Sequence, residues 1–133
     1  MYYGDHVDNA LMGDGALMRS DVSVTVFLSD PTTYEGGELV IDTATGEQSF
    51  KLAAGDIVAY PSTTLHRVEP ISAGERYAAV TWVQSLIRNV DEREILFELD
   101  TARQVLFEKH GKTPEFDLIC KSYANLLRKW VEL

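Results

Sequence analysis

The segment Tyr3-Gly4-Asp5-His6-Val7-Asp8 sets an imidazole and a carboxylate two residues apart in a stretch able to run extended. On a strand, residues i and i+2 face the same way, so His6 and Asp8 would point together while Val7 packs behind them. With a second imidazole from elsewhere they make a three-ligand set of the kind that holds Fe(II) and leaves three positions open. Alone, a His-x-Asp also fits an exposed turn, so the rest of the set must be sought along the chain.

His66 is the candidate for the second imidazole. Gly55-Asp56 turns the chain into the short apolar run Ile57-Val58-Ala59-Tyr60, Pro61 closes that run, and the loop Ser62-Thr63-Thr64-Leu65 leads into His66. Such a loop can carry His66 back beside a neighbouring strand; taken singly, His66 also reads as a hydrogen-bonded core histidine. Arg76 is the third element. It opens an extended stretch after the turn Ser72-Ala73-Gly74-Glu75 and shares a side with Ala78, Val80 and Trp82 if that strand is regular. An inward guanidinium in a row of small residues needs a buried anion, and its fork suits a carboxylate. The competing reading is an edge arginine paired with Glu75 or Glu69 at the surface.

Other reactive side chains read as structural. His110, in Glu108-Lys109-His110-Gly111, suits the C-terminal end of a helix, where its positive form complements the dipole. The single cysteine, Cys120, follows Asp117-Leu118-Ile119 and suits a small buried side chain within a helix; it has no partner for an internal disulfide. Tyr60 and Trp82 could line a pocket, but aromatic residues in strands are more often core. Gly36-Gly37 is a turn, with no helix-opening pattern after it that would make a phosphate loop.

The elements that must position these groups change character along the chain. Through about Ser85, runs rich in Val, Thr, Ile, Phe and Tyr alternate with Gly, Pro, Asp and Ser clusters. Strands are predicted over Asp21–Leu28, where small polar and apolar residues alternate, and over Glu38–Asp42, Gln48–Leu52, Ile57–Tyr60 and Arg76 to about Gln84. Short strands at this spacing suggest a barrel or two-sheet roll. From about Val90 the period becomes helical: Ile95, Leu96, Leu99, Ala102, Val105 and Leu106 mark one helix ending near His110-Gly111. A second starts at Thr113-Pro114-Glu115 and sets Phe116, Ile119, Tyr123, Leu126, Leu127 and Trp130 on one side. The expected organisation is a β core over residues 1–87 and a helical extension over 88–133 that packs on it.

The balance of 12 basic against 21 acidic residues, a net charge of −9, opposes nucleic acid and anionic membrane surfaces as partners. With one cysteine, no apolar run of membrane-spanning length and no basic leader segment, the expected location is cytoplasmic.

The surrounding text resembles one family closely. Tyr3-Gly4-Asp5-His6-Val7-Asp8-Asn9-Ala10, Phe27-Leu28-Ser29, Tyr34-Glu35-Gly36-Gly37-Glu38-Leu39, Gly55-Asp56 through Tyr60-Pro61-Ser62 to His66-Arg67-Val68, and Gly74-Glu75-Arg76 through Trp82-Val83-Gln84-Ser85 are similar to the signatures of PKHD-type hydroxylases. These are prolyl 4-hydroxylase-like oxygenases dependent on Fe(II) and 2-oxoglutarate, and the two C-terminal helices resemble the family's tail. The resemblance implies a double-stranded β-helix of the jelly-roll, cupin-like kind, with His6, Asp8 and His66 as iron ligands. It implies that Arg76 holds the distal carboxylate of 2-oxoglutarate, whose 2-oxo acid end chelates the metal, and that Tyr2 and Tyr3 could reach that co-substrate. Hydroxylation of a C–H bond with O2, succinate formation and use of ascorbate are the implied chemistry, on a small-molecule or peptide substrate. Because His6 lies so near the start, the chain is expected to lack the N-terminal segment of the family, and an open sheet edge would favour a homodimer. Two other functions compete: a cupin-type metal enzyme without 2-oxoglutarate, which Arg76 argues against, and a non-catalytic metal-binding or interaction remnant.

Overall fold

The computed structural model describes residues 3–133, and of Tyr3 the backbone alone. The chain divides into two compact units, one ending at Gln84 and the other running from Ser85 to Leu133. The first holds β1 (Tyr3–His6), β2 (Leu11–Met12), β3 (Met18–Arg19), β4 (Val22–Phe27), β5 (Tyr34–Gly36), β6 (Leu39–Thr43), β7 (Gly46–Phe50), β8 (Ile57–Pro61), β9 (His66–Val68), β10 (Ile71–Gly74) and β11 (Ala78–Val83). Antiparallel pairing gives a four-stranded sheet in the order β1-β9-β6-β7, a three-stranded sheet β11-β4-β8, and the pairs β10-β5 and β2-β3.

The core of this unit lies between the two larger sheets. Phe27 of β4 and Tyr60 of β8 meet Leu39 and Ile41 of β6, with Phe50, Leu52, Val58 and Val68 packed around them. In β4 the expected alternation is present with its polar set innermost: Ser23, Thr25 and Phe27 are buried, whereas Val22, Val24 and Val26 are half-buried. Burying hydroxyls in preference to valines is costly unless each hydroxyl has a partner, and the site described below supplies those partners.

The stretch Ser72–Glu75, expected to be a turn, is mostly strand: Ile71–Gly74 forms β10 and pairs with β5. Gly74 serves close approach, because a Cβ there would stand 2.2 Å from the Thr33 carbonyl oxygen. Its φ of +76° is also one that side-chain-bearing residues rarely adopt. Arg76 therefore precedes β11 and is not its first residue.

The second unit holds α1 (Val90–His110) and α2 (Pro114–Trp130). Asp91 and Glu92 occupy the first turn of α1, Lys109 and His110 the last, and the Gly111 N–H closes on the Phe107 carbonyl. Thr113 caps α2 by accepting from the Phe116 N–H, with Pro114 in the first turn. Leu96 is buried, and the Phe107 and Phe116 rings lie 5.1 Å apart. Of the predicted apolar stripe of α1, Ile95, Ala102 and Val105 are exposed. Cys120 is half-buried, with its Sγ 4.0 Å from the charged Arg103 Nη1, so it is not the buried core residue its neighbours suggested. Among the described residues no helix is long and apolar enough to cross a membrane.

Candidate metal and co-substrate site

His6 and His66 are brought together by strand register. They stand directly opposite in the β1–β9 pairing, with ring centroids 4.3 Å apart. The register shifts by one residue between Tyr3↔Val68 and His6↔His66. Continued without that shift, the first pairing would set Asp5 opposite His66, so the irregularity in β1 selects the imidazole for the inner face. His66 in turn lies opposite Ile41 of β6, which anchors it in the middle of the four-stranded sheet.

Asp8 follows just after β1 ends. Its Oδ1 is 3.8 Å from His6 Nε2 and 3.7 Å from His66 Nε2, and the three side chains offer donor atoms within 4.8 Å of one another. Exposure falls from 38% at His6 to 10% at Asp8 and 5% at His66, so the cluster opens on the His6 side. Val7, between the two ligands and just past the end of β1, is 50% exposed and does not pack as a core residue behind the pair.

The imidazole tautomers follow from their partners. His6 Nδ1 lies 2.7 Å from the Gly4 carbonyl oxygen and His66 Nδ1 lies 3.0 Å from that of Thr64. A carbonyl can only accept, so Nδ1 carries the hydrogen in both rings and Nε2 presents its lone pair to the cluster. Backbone carbonyls orienting ligand imidazoles in this way are the usual outer partners of a metal-binding histidine. Two inward lone pairs and one carboxylate oxygen form a donor set that fits a divalent transition metal such as Fe(II).

The carboxylate is held from behind. Ser23 Oγ donates to Asp8 Oδ2 at 2.5 Å and Trp82 Nε1 donates to the same oxygen at 3.0 Å. Ser62 Oγ lies 2.8 Å from Ser23 Oγ. Neither Ser23 nor Ser62 was singled out from sequence, and Trp82 only as a pocket or core aromatic. The one signal in the sequence was the hydroxyl row Ser23 and Thr25 in a strand whose other face is all valine.

A cavity of about 260 Å³ is lined by His6, Asp8 and His66 and by Arg76, Leu39 and Val80 among others. Tyr60 and Trp82 line it as well, and Tyr60 is at the same time core. Burial pushes the Tyr60 phenol upward; a hydrogen bond with Thr25 works against this, and the Asp8 charge adds to the rise. The Arg76 guanidinium lies 5.5 Å from the Phe27 ring centroid, and its Nε is buried with no hydrogen-bond partner among the described residues. The surface pairings considered from sequence are not made: Glu75 accepts from the Tyr77 hydroxyl and Glu69 from Arg67. A desolvated N–H without an acceptor is costly in a folded chain, and an anionic group in the cavity would satisfy it. His110 lies in the other unit, in the last turn of α1. Tyr2 and the side chain of Tyr3 lie outside the described residues.

Comparison with known proteins agrees with this geometry. Residues 1–84 match the family described as the 2OG-Fe(II) oxygenase superfamily, and residues 91–132 match the PKHD-type hydroxylase C-terminal domain. A PKHD-type hydroxylase of Thermosynechococcus vestitus is 66% identical over 134 residues, covering 100% of this chain and 60% of that protein. One from Acaryochloris marina is 64% identical, covering 99% of this chain and 59% of its own. The chain thus spans about 60% of the length of these relatives. A crystal structure of an oxidoreductase of the 2OG-Fe(II) oxygenase family from Burkholderia pseudomallei shares 25% identity and a TM-score of 0.50, over 62% of this chain and 37% of that one. The chain belongs to the 2OG-Fe(II) oxygenase superfamily and, within it, to the PKHD-type hydroxylases.

Proposed function

We propose that this chain carries the catalytic site of an Fe(II)- and 2-oxoglutarate-dependent hydroxylase, with His6, Asp8 and His66 as the metal ligands and Arg76 as the anchor of the co-substrate's distal carboxylate. The observation that carries the reading is the convergence, in one cavity, of a His/Asp/His set and a buried guanidinium N–H with no acceptor. Fe(II) with 2-oxoglutarate supplies activation of O2, coupling decarboxylation of the co-substrate to succinate with hydroxylation of a C–H bond.

The protein's own part is positional. The Gly4 and Thr64 carbonyls fix both imidazoles with Nε2 inward, and the backing of Asp8 Oδ2 turns Oδ1 toward them. Arg76, which lines the same cavity, would hold a dicarboxylate by its far end and so orient its 2-oxo acid end toward the metal cluster. Leu39 and Val68 give the cavity apolar wall, and a lower local dielectric there would strengthen the carboxylate–guanidinium attraction. The two facing sheets with the cluster on their inner side support, as the finer fold, a double-stranded β-helix. Ascorbate, which would return over-oxidised iron to Fe(II), belongs to the same reading through the family.

The test is an anaerobic titration of the purified chain with Fe(II) and 2-oxoglutarate, followed by the visible charge-transfer band of a chelated 2-oxo acid. A band that appears only with both components is the expected result. Iron uptake with no band would replace the reading with a metal site that has no co-substrate.

A further inference from the structure

The backing of Asp8 does more than hold a ligand still. We propose that Ser23 and Trp82 are positioning residues that restrict Asp8 to one-oxygen metal binding and thereby keep open a coordination position that a two-oxygen carboxylate would take. The inference rests on the metal assignment proposed above.

Asp8 presents its two oxygens to different surroundings. Oδ1 faces both Nε2 atoms, at 3.8 and 3.7 Å, whereas Oδ2 accepts from Ser23 Oγ at 2.5 Å and from Trp82 Nε1 at 3.0 Å. The proton assignments are forced. An ionised carboxylate only accepts and an indole N–H only donates. Ser23 spends its one hydrogen on Asp8, so Ser62 donates to Ser23 across the 2.8 Å contact. The result is a directed chain, Ser62 to Ser23 to Asp8, joined at the same oxygen by Trp82. Ser23 has 0% exposure, so water does not readily replace its hydroxyl.

The sheet itself builds this clamp. Trp82 and Ser23 are cross-strand partners in the β11–β4 register. Residues directly opposite on antiparallel strands project to the same face, so one pairing aims two donors at one oxygen. Rotating Asp8 to give both oxygens to a metal would break both hydrogen bonds and leave a serine hydroxyl and an indole N–H unsatisfied in a buried place. Carboxylates bind metals through one oxygen or two, and the choice matters at this site. Three single-atom ligands on an octahedral ion leave three positions, enough for a chelating 2-oxo acid and one further molecule. A two-oxygen Asp8 would leave two, and the chelate and the further molecule would compete.

The experiment uses the full chain and its Ser23→Ala, Trp82→Phe and Ser23→Thr variants, each checked for folding by circular dichroism. Calorimetry with Mn(II) alone reads metal affinity. Titration of the metal-loaded chain with 2-oxoglutarate, with the anaerobic Fe(II) charge-transfer band as the spectroscopic readout, reads the open positions. In Ser23→Ala and Trp82→Phe we expect 2-oxoglutarate affinity to fall by about tenfold or more, and Mn(II) affinity to fall by clearly less, because the second oxygen that Asp8 is then free to give the metal offsets part of the metal loss usual for a missing outer partner. Ser23→Thr, which keeps the hydroxyl, restores the parent behaviour. Equal losses of metal and co-substrate affinity, or no loss of either, overturn the clamp. A parent chain that takes up neither Mn(II) nor Fe(II) overturns the metal assignment itself, and the inference with it. Should Trp82→Phe not fold, Ser62→Ala takes its place: it leaves both direct donors to Asp8 in position and is expected to show the same split, smaller in size.

Discussion

His66 stands opposite His6 because β1 carries a one-residue register shift, and both rings give their Nδ1 hydrogens to backbone carbonyls two residues upstream. The two imidazoles are therefore held by the main chain on both sides of the strand pair. Little of their orientation depends on each other, so removing one leaves the other aimed as before.

His66→Ala should accordingly abolish stable iron retention without unfolding the sheet. Loss of a direct ligand exceeds the roughly 10–100-fold effect of losing an outer partner. Metal content after desalting checks this, with His110→Ala as the matched control that keeps its iron. Stoichiometric iron in His66→Ala would remove that residue from the ligand set.

Arg76→Ala should leave metal binding intact and weaken 2-oxoglutarate binding by about 2–3 kcal/mol, the range for a hydrogen bond to a charged group. Calorimetry on the metal-loaded chain measures it. Pyruvate, which lacks the distal carboxylate, should bind parent and variant alike; an equal loss for both ligands would mean that Arg76 shapes the cavity without contacting the co-substrate.

Gly37→Ala tests the packing of Arg76. Gly37 sits at φ +71°, and an added Cβ would meet Arg76 Cδ at 2.9 Å. A left-handed alanine costs about 1–2 kcal/mol, visible as a lowered urea midpoint. The displaced Arg76 should also lower 2-oxoglutarate affinity while Mn(II) affinity is unchanged. A loss of stability with normal co-substrate binding would show that the Arg76 stem yields freely.

Alkaline pH should destabilise the first unit through Tyr60. Its phenol is raised in the folded chain, chiefly by burial, against the Thr25 hydrogen bond and with the Asp8 charge adding to the rise. A raised folded value means that the native state holds its proton longer than the unfolded chain does. The contribution is complete below the ordinary tyrosine range near pH 10 and is lost as pH climbs through the folded value. Urea melts from pH 8 to 11 should show this decline, and Tyr60→Phe should flatten it. An identical decline in the variant would assign the loss to other groups.

His6, Asp8, His66 and Arg76 were legible as candidates because few residue types can ligate a metal or pair with a buried anion, and the structure brings all four to one cavity. The strands and helices were legible because periods of two and of 3.6 are written locally in the order of residues. The stretch Ser72–Gly74 was not, since its small residues suit a turn and β10 forms only because β5 lies alongside. The register shift that sets His6 and not Asp5 opposite His66 is a property of two paired strands, invisible in either alone. So too is the pairing of Trp82 with Ser23, residues 59 positions apart, that turns an ordinary serine and a core tryptophan into a clamp on Asp8. Sequence by itself determined which side chains could bind and react. Tertiary structure alone decided which atoms of those side chains face one another, because hydrogen-bond partners across strands depend on register, and register is a long-range choice.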